Sequence, residues 1–186
     1  MKNFVLFLTI FRIIAGPIIF FLTIIFKFYL LGLLLFIAAS FTDYLDGKLA
    51  REYKVESSLG ATLDPIADKI LVLFSLFTIS LINKDVFISG MSVLILSREF
   101  WVSALREHVA QFSKSNLMKV TFLAKIKTTI QFIAIALFFL GFETDFALII
   151  FIASFVLFLA MLISIKTAIE YTHNFYYYQN KQPDYD

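Results

Sequence analysis

Six long apolar runs, separated by short polar clusters, make up most of the chain. They extend over about 4–26, 29–49, 63–82, 86–109, 120–142 and 146–165. Each is near the ~20 residues that a helix needs to cross the hydrocarbon layer. The pattern therefore predicts an all-α integral membrane protein with six transmembrane helices. Lys27, the cluster Asn83-Lys84-Asp85, the stretch 111–119 and Glu143-Thr144-Asp145 mark turns, and 51–58 reads as a short hydrophilic connection. Pro65 is expected in or near the first turn of the third helix, where proline is tolerated. From Lys166 onward the chain becomes polar and rich in tyrosine, and this tail is expected to fray.

Composition agrees with the pattern. With 186 residues, 60% of them hydrophobic, and a mean hydropathy of +0.87, a soluble domain would have too much apolar surface to hide. No repeat, linker or low-complexity stretch divides the chain, so 1–186 reads as one transmembrane catalytic domain with a polar tail from about 167. The absence of cysteine excludes disulfides and thiolate metal sites. A net charge of +2 without any basic run argues against a nucleic-acid partner. Arg12 interrupts the first run and no small-residue cleavage site stands out, so a cleavable signal peptide is not expected. Most Lys and Arg lie near the N-terminus, in 50–58 and 106–119, and in the tail; the opposite turns hold Lys27 and Lys84 beside Asp85, Glu143 and Asp145. The positive-inside rule then predicts both termini at the cytoplasmic face.

Between the second and third runs lies the densest chemistry. Asp43 and Asp46 are an i,i+3 pair, and Asp64 and Asp68 an i,i+4 pair, so each pair shares one helix face. Gly47 and Ala50 flank the first pair, and Gly60 and Ala67 the second, leaving room for a backbone or ligand to approach. Acidic residues at helix ends are often only solvated. Four at these spacings, abutting membrane-length runs, point instead to function, because carboxylates near hydrocarbon are costly. An all-oxygen set suits Mg²⁺ or Mn²⁺, with two ions between four carboxylates, and suits zinc poorly. Such ions neutralise phosphate oxygens during substitution. A bilayer location implies a lipid substrate.

The residues Asp43, Asp46, Gly47, Ala50, Arg51, Gly60, Asp64 and Asp68 fill every fixed position of D-x-x-D-G-x-x-A-R, eight residues, G-x-x-x-D-x-x-x-D. The chain thereby resembles the CDP-alcohol phosphotransferase family. The resemblance implies transfer of a phosphatidyl group from a CDP-linked lipid to a small alcohol, with release of CMP and use of Mg²⁺ or Mn²⁺. It implies Asp43, Asp46 and Asp64 as metal ligands and Asp68 as general base that also touches a metal. Gly47, Ala50 and Gly60 would make room for the nucleotide, with Arg51 near its phosphates. A homodimer in the bacterial cytoplasmic membrane is implied as well, with the site facing the cytoplasm.

Further stretches look like phosphatidylglycerophosphate synthases within that family. Leu8-Thr9-Ile10-Phe11-Arg12 with Pro17 is similar to their L-T-x-x-R…P opening, although Leu6 stands where asparagine is usual. Thr9 and Arg12 would then face the CDP-lipid; the alternative for Arg12 is snorkelling to the interface. Ser97-Arg98-Glu99-Phe100-Trp101-Val102-Ser103-Ala104-Leu105-Arg106 resembles their S-R-E-F-x-V-S-x-L-R, and Lys125-Ile126-Lys127-Thr128-Thr129-Ile130-Gln131 their G-K-x-K-T-x-x-Q, with Ala124 in place of glycine. Cations at one face suit an acceptor that itself carries phosphate. Arg98, Lys125 and Lys127 are expected on that phosphate, and Arg106 either joins them or snorkels. CDP-diacylglycerol and glycerol 3-phosphate are the implied substrates. Cardiolipin, phosphatidylserine and phosphatidylinositol-phosphate synthases are the alternatives within the family. A divalent-cation transporter is the alternative outside it, but that would favour mid-span carboxylates and an inverted repeat.

Overall fold

The computed structural model describes residues 2–53, 58–111 and 122–179. These form six helices: α1 (Lys2–Ile24), α2 (Tyr29–Tyr53), α3 (Ser58–Asn83), α4 (Val86–Gln111), α5 (Phe122–Thr144) and α6 (Ala147–Gln179). Five are long and apolar enough to cross a membrane. The sixth, α2, is apolar over the shorter stretch Tyr29–Thr42 and then carries the acidic motif in its last turns.

Three expectations about boundaries change. α2 runs on to Tyr53 and α3 begins at Ser58, so the connection between them is shorter than predicted. Pro65 lies well inside α3, not in its first turn, and removes one backbone donor there. The tail does not fray at Lys166, since α6 continues to Gln179. The cause is packing: Tyr171, Ala168 and Phe175 join Val102, Leu105 and Val109 of α4 in a small apolar cluster of their own.

Helix order alternates through tight turns at one end. Lys27, Lys84 and Asp145 each adopt a left-handed backbone, with φ of 56°, 53° and 49°. Asp85 caps α4, its Oδ1 accepting from Phe87 N at 2.7 Å and Ile88 N at 3.3 Å. Glu143 Oε2 accepts from Leu30 N at 3.0 Å and so ties the end of α5 to the start of α2.

In the interior, α1 packs on α2 and α3, α2 on α5, α3 on α4 and α5, and α6 on α4 and α5. Ile19, Phe36, Leu71, Leu76, Ile79, Ile95, Phe138, Phe139 and Leu157 are fully buried at its centre. Large apolar side chains such as Phe21, Ile37, Phe87, Val93 and Phe151 face outward, as lipid-exposed helices require. Several buried hydroxyls return to their own helices: Ser75 Oγ donates to Leu71 O and Ser92 Oγ to Ile88 O.

Small residues set the α1–α3 distance. A Cβ on Gly16 would sit 3.1 Å from the Ile70 carbonyl oxygen and 3.3 Å from the Phe74 ring. A Cβ on Gly90 would meet nothing within 4 Å. Gly16→Leu should therefore lower thermal stability in detergent, at a cost of roughly 1–3 kcal/mol for overpacking, whereas Gly90→Leu should leave it unchanged. Equal unfolding midpoints for the two variants would contradict this close approach.

Candidate active site

The α1–α3 contact brings together four side chains singled out by the sequence. Thr9 and Arg12, one turn apart on α1, face Asp64 and Asp68, one turn apart on α3. Arg12 Nη1 donates to Asp68 Oδ1 at 2.5 Å, and Arg12 Nη2 to Asp64 Oδ1 at 3.1 Å. Thr9 Oγ1 donates to the same Asp64 oxygen at 2.6 Å. Arg12 has no exposed side-chain surface, while the Asp64 and Asp68 side chains are 36% and 43% exposed. Arg12 thus turns inward and does not snorkel. Its charge offsets the repulsion between two carboxylates that both open toward solvent. Ala67, between them on α3, is fully buried and lets the helices close up.

The remaining predicted residues divide. Asp43, Asp46, Gly47, Ala50 and Arg51 lie in the last turns of α2, Gly60 in the first turn of α3 and Lys125 near the start of α5. Their side chains are outside those described. Among the described residues no group of three acidic or histidine side chains converges on one point. Asp64 and Asp68 contribute two carboxylates, and these hard oxygen donors fit Mg²⁺ or Mn²⁺ chemistry.

Asp68 also borders a second feature. A cavity of about 210 Å³ opens between α3, α4 and α5. Asp68 and Lys69 line it from α3, Glu99, Ser103 and Arg106 from α4, and Lys127, Thr128 and Gln131 from α5. This volume is below the ~300–1,000 Å³ of pockets for drug-sized ligands, and it suits a small polar molecule. Three cations and two carboxylates share its wall. Lys127 is buried and its Nζ donates to Glu99 Oε1. Arg98 Nη1 approaches the same oxygen at 3.5 Å.

Of the arginines on α4, Arg106 lines the cavity. Arg98 is not among the lining residues. It is 8% exposed and its Nη2 donates to Thr167 Oγ1 of α6 at 2.8 Å. Lys69 escaped sequence reasoning, and Ser103, Thr128 and Gln131 lie in the matched stretches without an expected role. Lys69 directly follows the acidic motif within a membrane-length run, and an ionisable residue at such a depth was a usable signal. Ser103 fills a fixed position of the matched α4 stretch, but as a neutral hydroxyl its place in the cavity wall shows only once α3 and α5 are seen opposite it. Trp101 is half-exposed, with Nε1 donating to Thr172 Oγ1 at 2.9 Å. His108 and His173 lie exposed on α4 and α6, as surface residues would.

Comparison with known proteins identifies the family. A protein of Rickettsia typhi named CDP-diacylglycerol–glycerol-3-phosphate 3-phosphatidyltransferase is 44% identical over 148 residues, covering 76% of this chain and 78% of that protein. Proteins of the same name from Haemophilus influenzae and Cereibacter sphaeroides are 40% identical over 136 residues and 50% over 117. The first of these alignments covers 72% of this chain and 73% of the relative, and the second 59% and 49%. The CDP-alcohol phosphatidyltransferase family matches residues 3–166. With that match spanning most of its length, the chain belongs to the CDP-alcohol phosphatidyltransferase family.

Proposed function

We propose that this multi-pass membrane protein transfers the phosphatidyl group of CDP-diacylglycerol to glycerol 3-phosphate. The acceptor hydroxyl attacks the phosphorus next to diacylglycerol, the bond to CMP breaks, and phosphatidylglycerophosphate and CMP leave. The observation that carries this reading is the double position of Asp68, which is bound to Arg12 on one side and lines the small polar cavity on the other. A carboxylate at that border can take the acceptor's proton as the new bond forms. The names of the relatives supply the acceptor.

The other roles follow from chemistry. Lys69, Arg106 and Lys127 give the cavity three cations for the acceptor's phosphate, with Arg106 able to hold it by two hydrogen bonds. Glu99 fixes Lys127 and keeps the wall from becoming uniformly positive. Lys125 and Arg98 are assigned to the same region, Arg98 as a support behind the wall. Thr9 and Arg12 hold Asp64 and Asp68 in place on the CDP-lipid side. Asp43, Asp46, Asp64 and Asp68 are proposed as the metal ligands, and Gly47, Ala50, Gly60 and Arg51 as the nucleotide cradle. Divalent metals are general in the family. Bound here, Mg²⁺ or Mn²⁺, two ions by the number of carboxylates, would neutralise the pyrophosphate and support CMP as leaving group.

The distribution of Lys and Arg supports an active site and both termini at the cytoplasmic face of a bacterial inner membrane. Dimerisation is proposed from the family resemblance alone.

In mixed micelles containing CDP-diacylglycerol, CMP release should depend on glycerol 3-phosphate and not on serine, inositol phosphate or phosphatidylglycerol. A preference for any of these three would reassign the acceptor, and metal uptake into liposomes without CMP release would revive a transporter. Asp43→Ala and Asp64→Ala should abolish turnover. Asp68→Asn should lower kcat by about 10²- to 10⁴-fold, the range for losing a general base. Chelation with EDTA should stop the reaction, and added Mg²⁺ or Mn²⁺ should restore it. Retained turnover in all three aspartate variants would refute the site.

A further inference from the structure

The C-terminal part of α6 braces the cavity wall from behind. Thr167 and Tyr171, one turn apart, lie just past the residues 3–166 that the family match covers. On α4, Arg98, Val102 and Arg106 recur at i, i+4 and i+8 and present one face to them. Tyr171 is only 3% exposed. Its hydroxyl accepts from Arg106 Nη2 at 2.7 Å. Its ring centre lies 4.8 Å from the Arg106 guanidinium carbon and 6.0 Å from that of Arg98. Both distances are within reach of a cation–π attraction. Thr167 Oγ1 donates to Ile163 O at 2.9 Å while accepting from Arg98, so that arginine is fixed to the α6 backbone through one hydroxyl.

We propose that Tyr171 is a positioning residue: it holds the Arg106 guanidinium in the cavity wall and thereby sets affinity for the phosphate of the small acceptor. The proposal rests on reading the cavity as the acceptor site. Arginine is long and loses rotamer freedom when it grips a ligand; anchoring it beforehand moves that cost from binding to folding. The anchor leaves donors over, because guanidinium has five N–H groups. Arg106 Nε is buried without a hydrogen-bond partner among the described residues. Tyr171 suits the task because its ring takes the face of the cation and its hydroxyl one edge. Phenylalanine would keep only the first contact and leucine neither.

The test is steady-state CMP release by the full-length chain, with each substrate varied in turn. Tyr171→Phe should raise KM for glycerol 3-phosphate about three- to tenfold, the effect of losing one hydrogen bond of typical net strength. KM for CDP-diacylglycerol and kcat should stay unchanged. Tyr171→Leu should raise the same KM further, and His173→Ala, an exposed site two residues on, should change nothing. In an Arg106→Ala background Tyr171→Phe should have no additional effect, as expected when one residue acts through the other. An unchanged KM for glycerol 3-phosphate in Tyr171→Phe overturns the proposal. So does an equal penalty with and without Arg106. Should Tyr171→Leu fail to fold, the phenylalanine variant decides alone. A wild-type chain that releases CMP without needing glycerol 3-phosphate would overturn the underlying reading, and this proposal with it.

Discussion

A cation fully withdrawn from solvent must be neutralised where it sits, and Arg12 meets that demand with two aspartates from another helix. This one requirement fixes the register of α1 against α3. Sliding either helix by a turn would leave a guanidinium buried alone or two carboxylates facing each other. Breaking a fully buried pair costs about 3–5 kcal/mol, and water at the two half-open carboxylates lowers that figure here. The arrangement is lopsided in a useful way. Arg12 is sealed into the helix seam, while the negative charge it organises faces outward and is open to a ligand.

The same seam meets a second compartment. Asp68 belongs to both, with Pro65 and Lys69 beside it on the cavity side. One helix thus separates the Arg12–Asp64–Asp68 cluster from a cavity lined by Lys69, Arg106 and Lys127. Such a division suits two substrates of different character: a nucleotide pyrophosphate that arrives with metal, and a small phosphate ester that needs fixed cations. It keeps cations of the wall from occupying the carboxylates, because Glu99 already engages Lys127 and Tyr171 of α6 already engages Arg106.

Much of this was legible in the residues and some of it could not have been. Apolar runs located all six helices, since in a bilayer the backbone leaves few alternatives. Spacing alone put Asp64 and Asp68 on one face. What spacing cannot supply is the partner across the gap. Arg12 could equally have reached for headgroups until α3 was seen opposite it. Arg98 and Arg106 share one face of α4, and only the position of α6 separates a supporting role from a lining one. The continuation of α6 past Lys166 was hidden for a related reason. Its composition is polar, but Ala168, Tyr171 and Phe175 recur at helical spacing and find a small apolar cluster waiting on α4. Pro65 misled by its usual preference, because a helix packed on four neighbours tolerates a lost backbone bond that an isolated one would not.

The turns at Lys27, Lys84 and Asp145 divide the chain into three hairpins, α1–α2, α3–α4 and α5–α6. None of them carries the whole of the proposed reaction centre. Arg12 belongs to the first, Asp64, Asp68 and Arg106 to the second, Lys127 and Tyr171 to the third. On the proposed assignment of residues, an intermediate of biogenesis that lacks one hairpin lacks part of the reaction centre.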